Sequence, residues 1–351
     1  MNGMDPERPS EQGRAADGVV LAVLTVLMAL LGALFPLPVW LVAPVPVAVL
    51  AYRHGYGLSV ATAALAVLLV GWVEQQVFAG LAHVLPAAQL RYSLLGVMVA
   101  PVTLGLIGLV IGGAWREGIS AGRTLWMAVL AAVLPGAATW LWVHLVHGVD
   151  LVAVFIDNSL LLARTLMEQA AQSAPAAEAL ADWRLMIESA ERSFPLVRPF
   201  LPGTLVAAAS CVAAVDMALT RAFLVRLGDD PPWFPPFARW RFPWPLALGF
   251  VAGQGLLLAG SAMGHAGLII AGENMRVMFH LLFAAQGLAV GWYLLERRLP
   301  AVGRVLVLGL VFIVAPAVAA WTGVLDTWFN FRRLPPQPDG SRPEAGTGGE
   351  T

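Results

Sequence analysis

Lysine is absent from this chain, and all 21 basic residues are arginine. Against 22 acids they leave a formal net charge of -1, which excludes the basic surface that nucleic acid requires. A single cysteine, Cys211, rules out a disulfide framework or a cysteine-based metal centre. Charge of either sign is scarce, at 12% of residues where a soluble domain carries about 25%. The missing polar coat implies that lipid replaces water over most of the surface. Several reactive motifs are missing too. No G-x-x-x-x-G-K-[ST] loop cradles a nucleotide, so an ATP-driven step would need another subunit. There is no H-E-x-x-H helix, no G-x-S-x-G elbow, and no pair of aspartates on facing spans, Asp216 and Asp326 being too differently placed. The reading is of a non-enzyme that needs no cofactor.

What is abundant is apolar. Hydrophobic residues make up 59% of the 351, with a mean hydropathy of +0.75. Apolar segments run roughly 18–34, 37–52, 57–82, 93–114, 124–147, 200–226, 245–263, 273–295 and 302–323. Crossing the hydrocarbon takes about 20 apolar residues, so most of these suffice. The second is short and holds Pro38, Pro44 and Pro46, which suits a broken or re-entrant helix. The expected fold is all-α, a polytopic transmembrane helical bundle of about nine spans, or eight, with an amphipathic helical insertion. Its parts would be a polar tail over 1–17, five membrane helices over 18–147, the insertion over 148–198, four membrane helices over 199–323, and an interfacial end with a disordered tail over 324–351. The tail carries no small-residue cleavage site, so the first helix is expected to be retained.

Arginine placement orients the chain. With the N-terminus inside, the short inner connections hold ten arginines, among them Arg53, Arg116, Arg239, Arg241, Arg297, Arg298 and Arg304, while the short outer loops hold Arg91 and Arg276. A bacterial inner membrane with a cytoplasmic N-terminus follows as an expectation. Nine spans would put Arg332 and Arg333 outside, which fits the rule badly and favours eight.

Gly272 to Pro300 reads as the organising helix. At 100° per residue Glu273, Arg276, His280, Ala284, Gly287 and Gly291 share one stripe, polar at the top and small lower down. Lipid rejects the first feature, and a neighbouring helix can approach closely along the second. A charge at the bilayer centre costs roughly 2.5–3.5 kcal/mol, so each needs a partner or water. Pairing of Glu74 or Asp216 with Arg276 would meet that need. The candidate ligand-binding residues are Glu74, Asp216, Gln254, Asn274, Arg276, His280 and Gln286, set against a purely structural role as ion pairs and hydrogen bonds between helices. His144 and His147, with Asp150 three residues on, form the one weak metal candidate, H-x-x-H, although interfacial hydrogen bonding explains such histidines more simply. The pairs Gly108/Gly112 and Gly249/Gly253 read as helix packing.

Two stretches break the membrane pattern. Residues 150–198 are too charged to span and read as two helices split near Pro175, the second with Leu180, Trp183, Ile187, Ala190 and Phe194 on one face, a lid or a passive connector. Residues 229–245, DDPPWFPPFARWRFPWP, set aromatic residues and arginines among prolines, as an interfacial anchor or a docking surface.

The runs PLPVWLVAPVPVAVLAYRHGYG, FARWRFPWPLALGF, LLFAAQGLAVGWYLLERRLP and GVLDTWFNFRR together resemble the YybS-like bacterial membrane proteins, over most of residues 18–333. By that resemblance Asn274, Gln286, Gly287, Asp326, Phe331 and Arg332 match recurring positions, with no role attached. The resemblance also implies a relation to the substrate-binding (S) components of energy-coupling-factor vitamin transporters. Two readings follow. One is a transport-related component that binds a small molecule and other membrane subunits. The other is a non-transport scaffold or assembly factor in the lipid bilayer that docks other proteins. A cavity lined by the polar candidates favours the first; side chains that pair off directly favour the second.

Overall fold

The computed structural model describes residues 11–34, 39, 42–80, 87–172, 177–233 and 235–334. Among these every regular element is a helix, as the composition implies. The helices are α1 (Glu11–Leu34), α2 (Pro44–His54), α3 (Tyr56–Gly80), α4 (Ala87–Arg116), α5 (Ala121–His147), α6 (Leu151–Gln172), α7 (Ala177–Val197), α8 (Leu201–Arg226), α9 (Pro245–Met263), α10 (Ala266–Leu295), α11 (Ala301–Val314) and α12 (Pro316–Phe329). Short 3-10 turns occupy Arg198–Phe200 and Phe237–Arg239. The chain divides into two compact units, Met1–Arg192 with Val212–Pro232, and Ser193–Cys211 with Trp233–Thr351.

The structure does not confirm nine spans. Among the described residues six stretches are long and apolar enough to cross: Tyr56–Gly80, Leu94–Arg116, Ala121–His147, Leu180–Arg226, Pro245–Met263 and Ala266–Leu295. A seventh results only if α11 and α12 count as one. Two physical causes account for most of the shortfall. Among its described residues the proline-rich second segment holds the 11-residue α2, about 17 Å long against a hydrocarbon core of about 30 Å. Part of that segment, 37–38 and 40–41, lies outside the described residues. The segment expected over 302–323 is cut before Pro316, where α11 and α12 meet at 106°. The apolar part of α1, Ala16–Gly32, sits at the short end of the spanning range.

In the first unit α2 is the buried centre, with Pro44 to Ala51 all shielded. A helix apolar on all sides can only be stable in that position. Gly108 and Gly112 of α4 let it approach: a Cβ at Gly108 would lie 2.7 Å from Val47 Cβ, and one at Gly112 would lie 2.8 Å from Ala51 Cβ. Gly55, at φ +83°, breaks α2 from α3, and Arg116 Nη1 donates to the Tyr52 carbonyl beside the break at 3.2 Å. Helices α6 and α7 fill the charged insertion, joined through residues 173–176 outside the described set, and Arg164 pairs with Glu191 across them.

In the second unit α9 and α10 form an antiparallel hairpin, turning at Gly264 (φ +64°). Gly249 accepts the Phe279 ring and Gly253 lies against Met275, so the second glycine pair also serves packing. The core comprises Phe250, Phe279, Phe283, Ala320 and Val324, with Phe250 set edge-on to Phe283 and Trp321 at 5.9 and 5.0 Å. Edge-to-face rings of this kind add about 0.5–1.5 kcal/mol each beyond their burial.

The bent pair α11–α12 has the geometry of a re-entrant hairpin. At its start Arg304 lies over the Trp292 ring, 4.5 Å from the centroid, and Phe237 meets the same ring edge-on at 6.0 Å. At its finish Arg332 donates to the carbonyls of Ala238 and Trp240. Both ends therefore meet one loop, at one end of the unit. Each arm is 14 residues, about 21 Å, too short to reach the far side.

Candidate functional site

The densest buried polar cluster among the described residues sits where α10, α12 and the aromatic loop converge. Gln286 on α10 is fully buried. Its Oε1 accepts from the Phe242 backbone N–H at 2.7 Å. Its Nε2 donates to the Gly323 carbonyl at 2.9 Å and to Thr327 Oγ1 at 3.1 Å, with Asp326 Oδ2 at 3.4 Å. Gly323, Asp326 and Thr327 lie three and four residues apart, so helical periodicity turns all of them toward Gln286. Beside them Arg332 Nη2 pairs with Asp326 Oδ2 at 2.7 Å, both side chains wholly shielded. The same guanidinium donates to Ala238 O and Trp240 O, each at 2.7 Å. Arg241 Nη2 donates to the Thr327 carbonyl at 3.1 Å, an acceptor left open by the end of α12.

Sequence reasoning named Gln286 as a candidate ligand-binding residue, attached no role to Asp326 and Arg332, read Arg241 only as an inner-loop arginine, and missed Thr327. The available signal was the Gly323-x-x-Asp326-Thr327 spacing at the end of an apolar helix. What the cluster does is hold irregular backbone. Residues 240–244 form no helix, so their peptide groups need partners inside an apolar protein. Trp240 Nε1 closes the loop on Pro235 O at 3.0 Å, and Phe237 packs edge-on to Trp240 at 5.3 Å. Arg239 and Trp244 remain exposed on the loop so held.

Asn274 does the same at a second break. Its Nδ2 donates to Pro199 O and its Oδ1 accepts from Gly203 N–H, at 2.8 and 2.7 Å, across the turn that opens α8. Gly203 also lets α8 approach α10 closely, with the Asn274 backbone occupying the space a Cβ would take.

The other expected residues are distributed differently. Arg276 Nε donates to Glu273 Oε2 at 2.7 Å, one turn back on α10. That (i, i+3) geometry satisfies the guanidinium locally and removes the need for a distant carboxylate. His280 reaches the Pro316 carbonyl at the tip of the re-entrant hairpin. Gln254 is half-buried on α9 and makes no hydrogen bond among the described residues. In the first unit Glu74 is half-buried on α3 without an ion pair among them. Asp216 on α8 is fully buried, and neither of its carboxylate oxygens has a partner among them, nor does Thr220 Oγ1 one turn on. The stripe of Ala284, Gly287 and Gly291 faces the re-entrant hairpin: Gly287 abuts the Ala319 carbonyl, and a Cβ at Gly291 would lie 2.7 Å from Leu308.

His144 stacks on Trp140, rings 5.4 Å apart and 3° from parallel, and His147 meets Trp142 and Tyr92 edge-on. Trp140 Nε1 donates to Asp150 at 3.4 Å. Among the described residues no group of three side chains could hold a metal ion, and these histidines are engaged with aromatic rings.

One further ionic cluster, in the first unit, was not anticipated. Arg53 bonds Asp17 and lies 3.1 Å from Asp229, while His54 Nε2 is 3.4 Å from Asp17. Burial pushes the Asp229 carboxyl above its ordinary range, Asp17 adding to the effect and Arg53 opposing it.

A family model described as predicted membrane protein (DUF2232) matches residues 19–327. No curated protein and no solved structure matches the chain.

Proposed function

The chain belongs to the family of predicted membrane proteins (DUF2232), and from that premise we propose that it acts as a non-enzymatic membrane scaffold, presenting a rigid loop at the membrane surface to other proteins. One observation carries this reading. Gln286, Arg332 and Arg241 are committed to backbone groups, and together they fix the loop of residues 235–244. A preformed surface loses less conformational freedom when a partner binds, so the ordering cost of about 0.5–1.5 kcal/mol per side chain is already met. Exposed Arg239 and Trp244 belong to the residue types that dominate binding hot spots. Arginine placement, with Arg297, Arg298 and Arg304 in neighbouring segments, supports a cytoplasmic setting for this face in a bacterial inner membrane.

The transport reading, a binding component related to S components, rests on a single observation: buried Asp216 with both oxygens unpartnered among the described residues. A proton or cation following α8 would suit it.

Purification in detergent from native membranes, with mass spectrometry of proteins and small molecules, separates the two. The scaffold reading expects defined protein partners that Arg239→Ala with Trp244→Ala loses, although both side chains lie outside the buried network. A stoichiometric small molecule, retained by that double variant and released by Asp216→Asn, would overturn it.

A further inference from the structure

A cavity of about 450 Å³ lies between α10, α11 and α12, and none of the polar candidates lines it. Its walls are apolar, running from Gly287 and Val290 to Leu294 and Leu308. It exists because Gly287 and Gly291 project no side chain and because the chain turns aside at the 106° bend instead of continuing as a span. Leu294 and Val318, 56% and 61% exposed, form its rim, so it opens onto the apolar surface of the protein. One charged residue borders it. Arg298 is exposed and has no ion pair among the described residues, whereas nearby Arg304 is taken up by Trp292 and Glu296.

We propose that this groove holds one acyl chain of an anionic phospholipid, with the lipid phosphate on Arg298. Three features select that occupant. From Gly287 to Arg298 the chain rises about 16 Å at 1.5 Å per residue, half of a hydrocarbon core of about 30 Å and so the depth of one leaflet. A partner's transmembrane helix would need a seam twice as long. The volume falls within the roughly 300–1,000 Å³ typical of small-ligand sites, and its lining offers an acyl chain no unsatisfied polar group beyond Thr322, whose hydroxyl already donates to the Val318 carbonyl at 2.8 Å. Arg298 closes the α10 end, where the guanidinium fork matches phosphate oxygens two at a time, and exposed Arg297 adds a second positive charge beside it.

The test uses the full chain, stripped of lipid in detergent and titrated with phosphatidylglycerol or phosphatidylcholine under native mass spectrometry. One phosphatidylglycerol per chain is expected, held at least tenfold more tightly than phosphatidylcholine. Arg298→Gln should abolish that preference and Arg298→Lys should keep most of it. Both act on an exposed side chain, so the fold is not at stake. Val318→Trp, which fills the groove from its rim, should release the lipid with an unchanged helical circular dichroism spectrum. Equal retention of the two lipids by the wild type, or an undiminished preference in Arg298→Gln, overturns the proposal. So does a photo-crosslinker at position 318 that captures polypeptide rather than lipid in native membranes.

Discussion

Replacing Arg332 by methionine removes three bonds of 2.7 Å at once, one to Asp326 and two to loop carbonyls. Methionine replaces the aliphatic stem and carries no charge, so the electrostatic change dominates. The Asp326 side chain is then stranded with 0% exposure, as are the carbonyls of Ala238 and Trp240. Breaking a buried pair from one side costs about 3–5 kcal/mol. At about 1.4 kcal/mol per tenfold, the loop should open roughly a hundred to a few thousand times more often. Trypsin reads that opening directly, because Arg239 lies in the loop and the chain has no lysine to compete. Cleavage at Arg239 in detergent should accelerate accordingly while α9 and α10 stay intact. The double variant Asp326→Leu with Arg332→Met should open less than either single one, since no charge is left alone. It should still exceed the wild type, because the two carbonyls keep a cost of about 1–3 kcal/mol. Wild-type cleavage in Arg332→Met, or single effects that simply add in the double variant, would refute the assignment of the pair as the clasp of the loop.

Asn274→Leu leaves the Pro199 carbonyl and the Gly203 N–H without their partner, at about 1–3 kcal/mol each, and should lower the thermal unfolding midpoint in detergent; an unchanged midpoint would mean that the break at α8 is held otherwise. Gly287→Val should destabilise by about 1–3 kcal/mol or more through overlap with Ala319, while Gly309→Ala, with open space around it, should not register in the same melt. In a Cys211→Ser background, cysteines at positions 297 and 333 should react with a membrane-impermeant maleimide from the same side, and labelling from opposite sides would disprove the re-entrant hairpin. Asp229, raised mainly by burial, binds its proton more readily folded than unfolded. Its favourable contribution is complete below the ordinary carboxylate value of about 3.9 and is lost as pH rises through the raised one, so Asp229→Asn should flatten the stability profile upward from about pH 4.

Much of the architecture was legible from composition. Scarce charge and long apolar runs fixed the helical membrane class, and the small residues of the α10 stripe announced a close neighbour, which proved to be α12. The prolines of the second segment marked a short helix, and α2 starts at Pro44. The bend before Pro316 was not legible, because hydropathy is blind to direction: VLVLGLVFIVAPAVAAW reads as one span whether it continues or turns back. The misfit of Arg332 and Arg333 with the positive-inside rule was the one trace of it. A hairpin entering and leaving on one side returns those arginines to the end occupied by Arg239, Arg241, Arg297 and Arg304. The pairing of Arg276 was missed for a related reason. Its partner Glu273 was already on the same stripe, and a local pair leaves no long-range signature.

Asn274, Gln286, Arg332 and Arg241 of the second unit share a physical task. In hydrocarbon every backbone group outside a helix must be satisfied by protein, so each break in a membrane helix creates a demand for a side chain with matching donors or acceptors. Asn274 answers the break before α8, Gln286 answers the N–H of Phe242 in the loop before α9, Arg332 answers two loop carbonyls, and Arg241 answers the last turn of α12. Side chains committed in this way are poor ligands for a passing substrate, because releasing any of them exposes a peptide group to an apolar surrounding. Selection for substrate binding would leave polar side chains unpaired around a space. What α10 carries instead is a set of clasps, and the surface they hold in place, Arg239 and Trp244 on a fixed loop, is where the consequences of this fold for other molecules are to be sought.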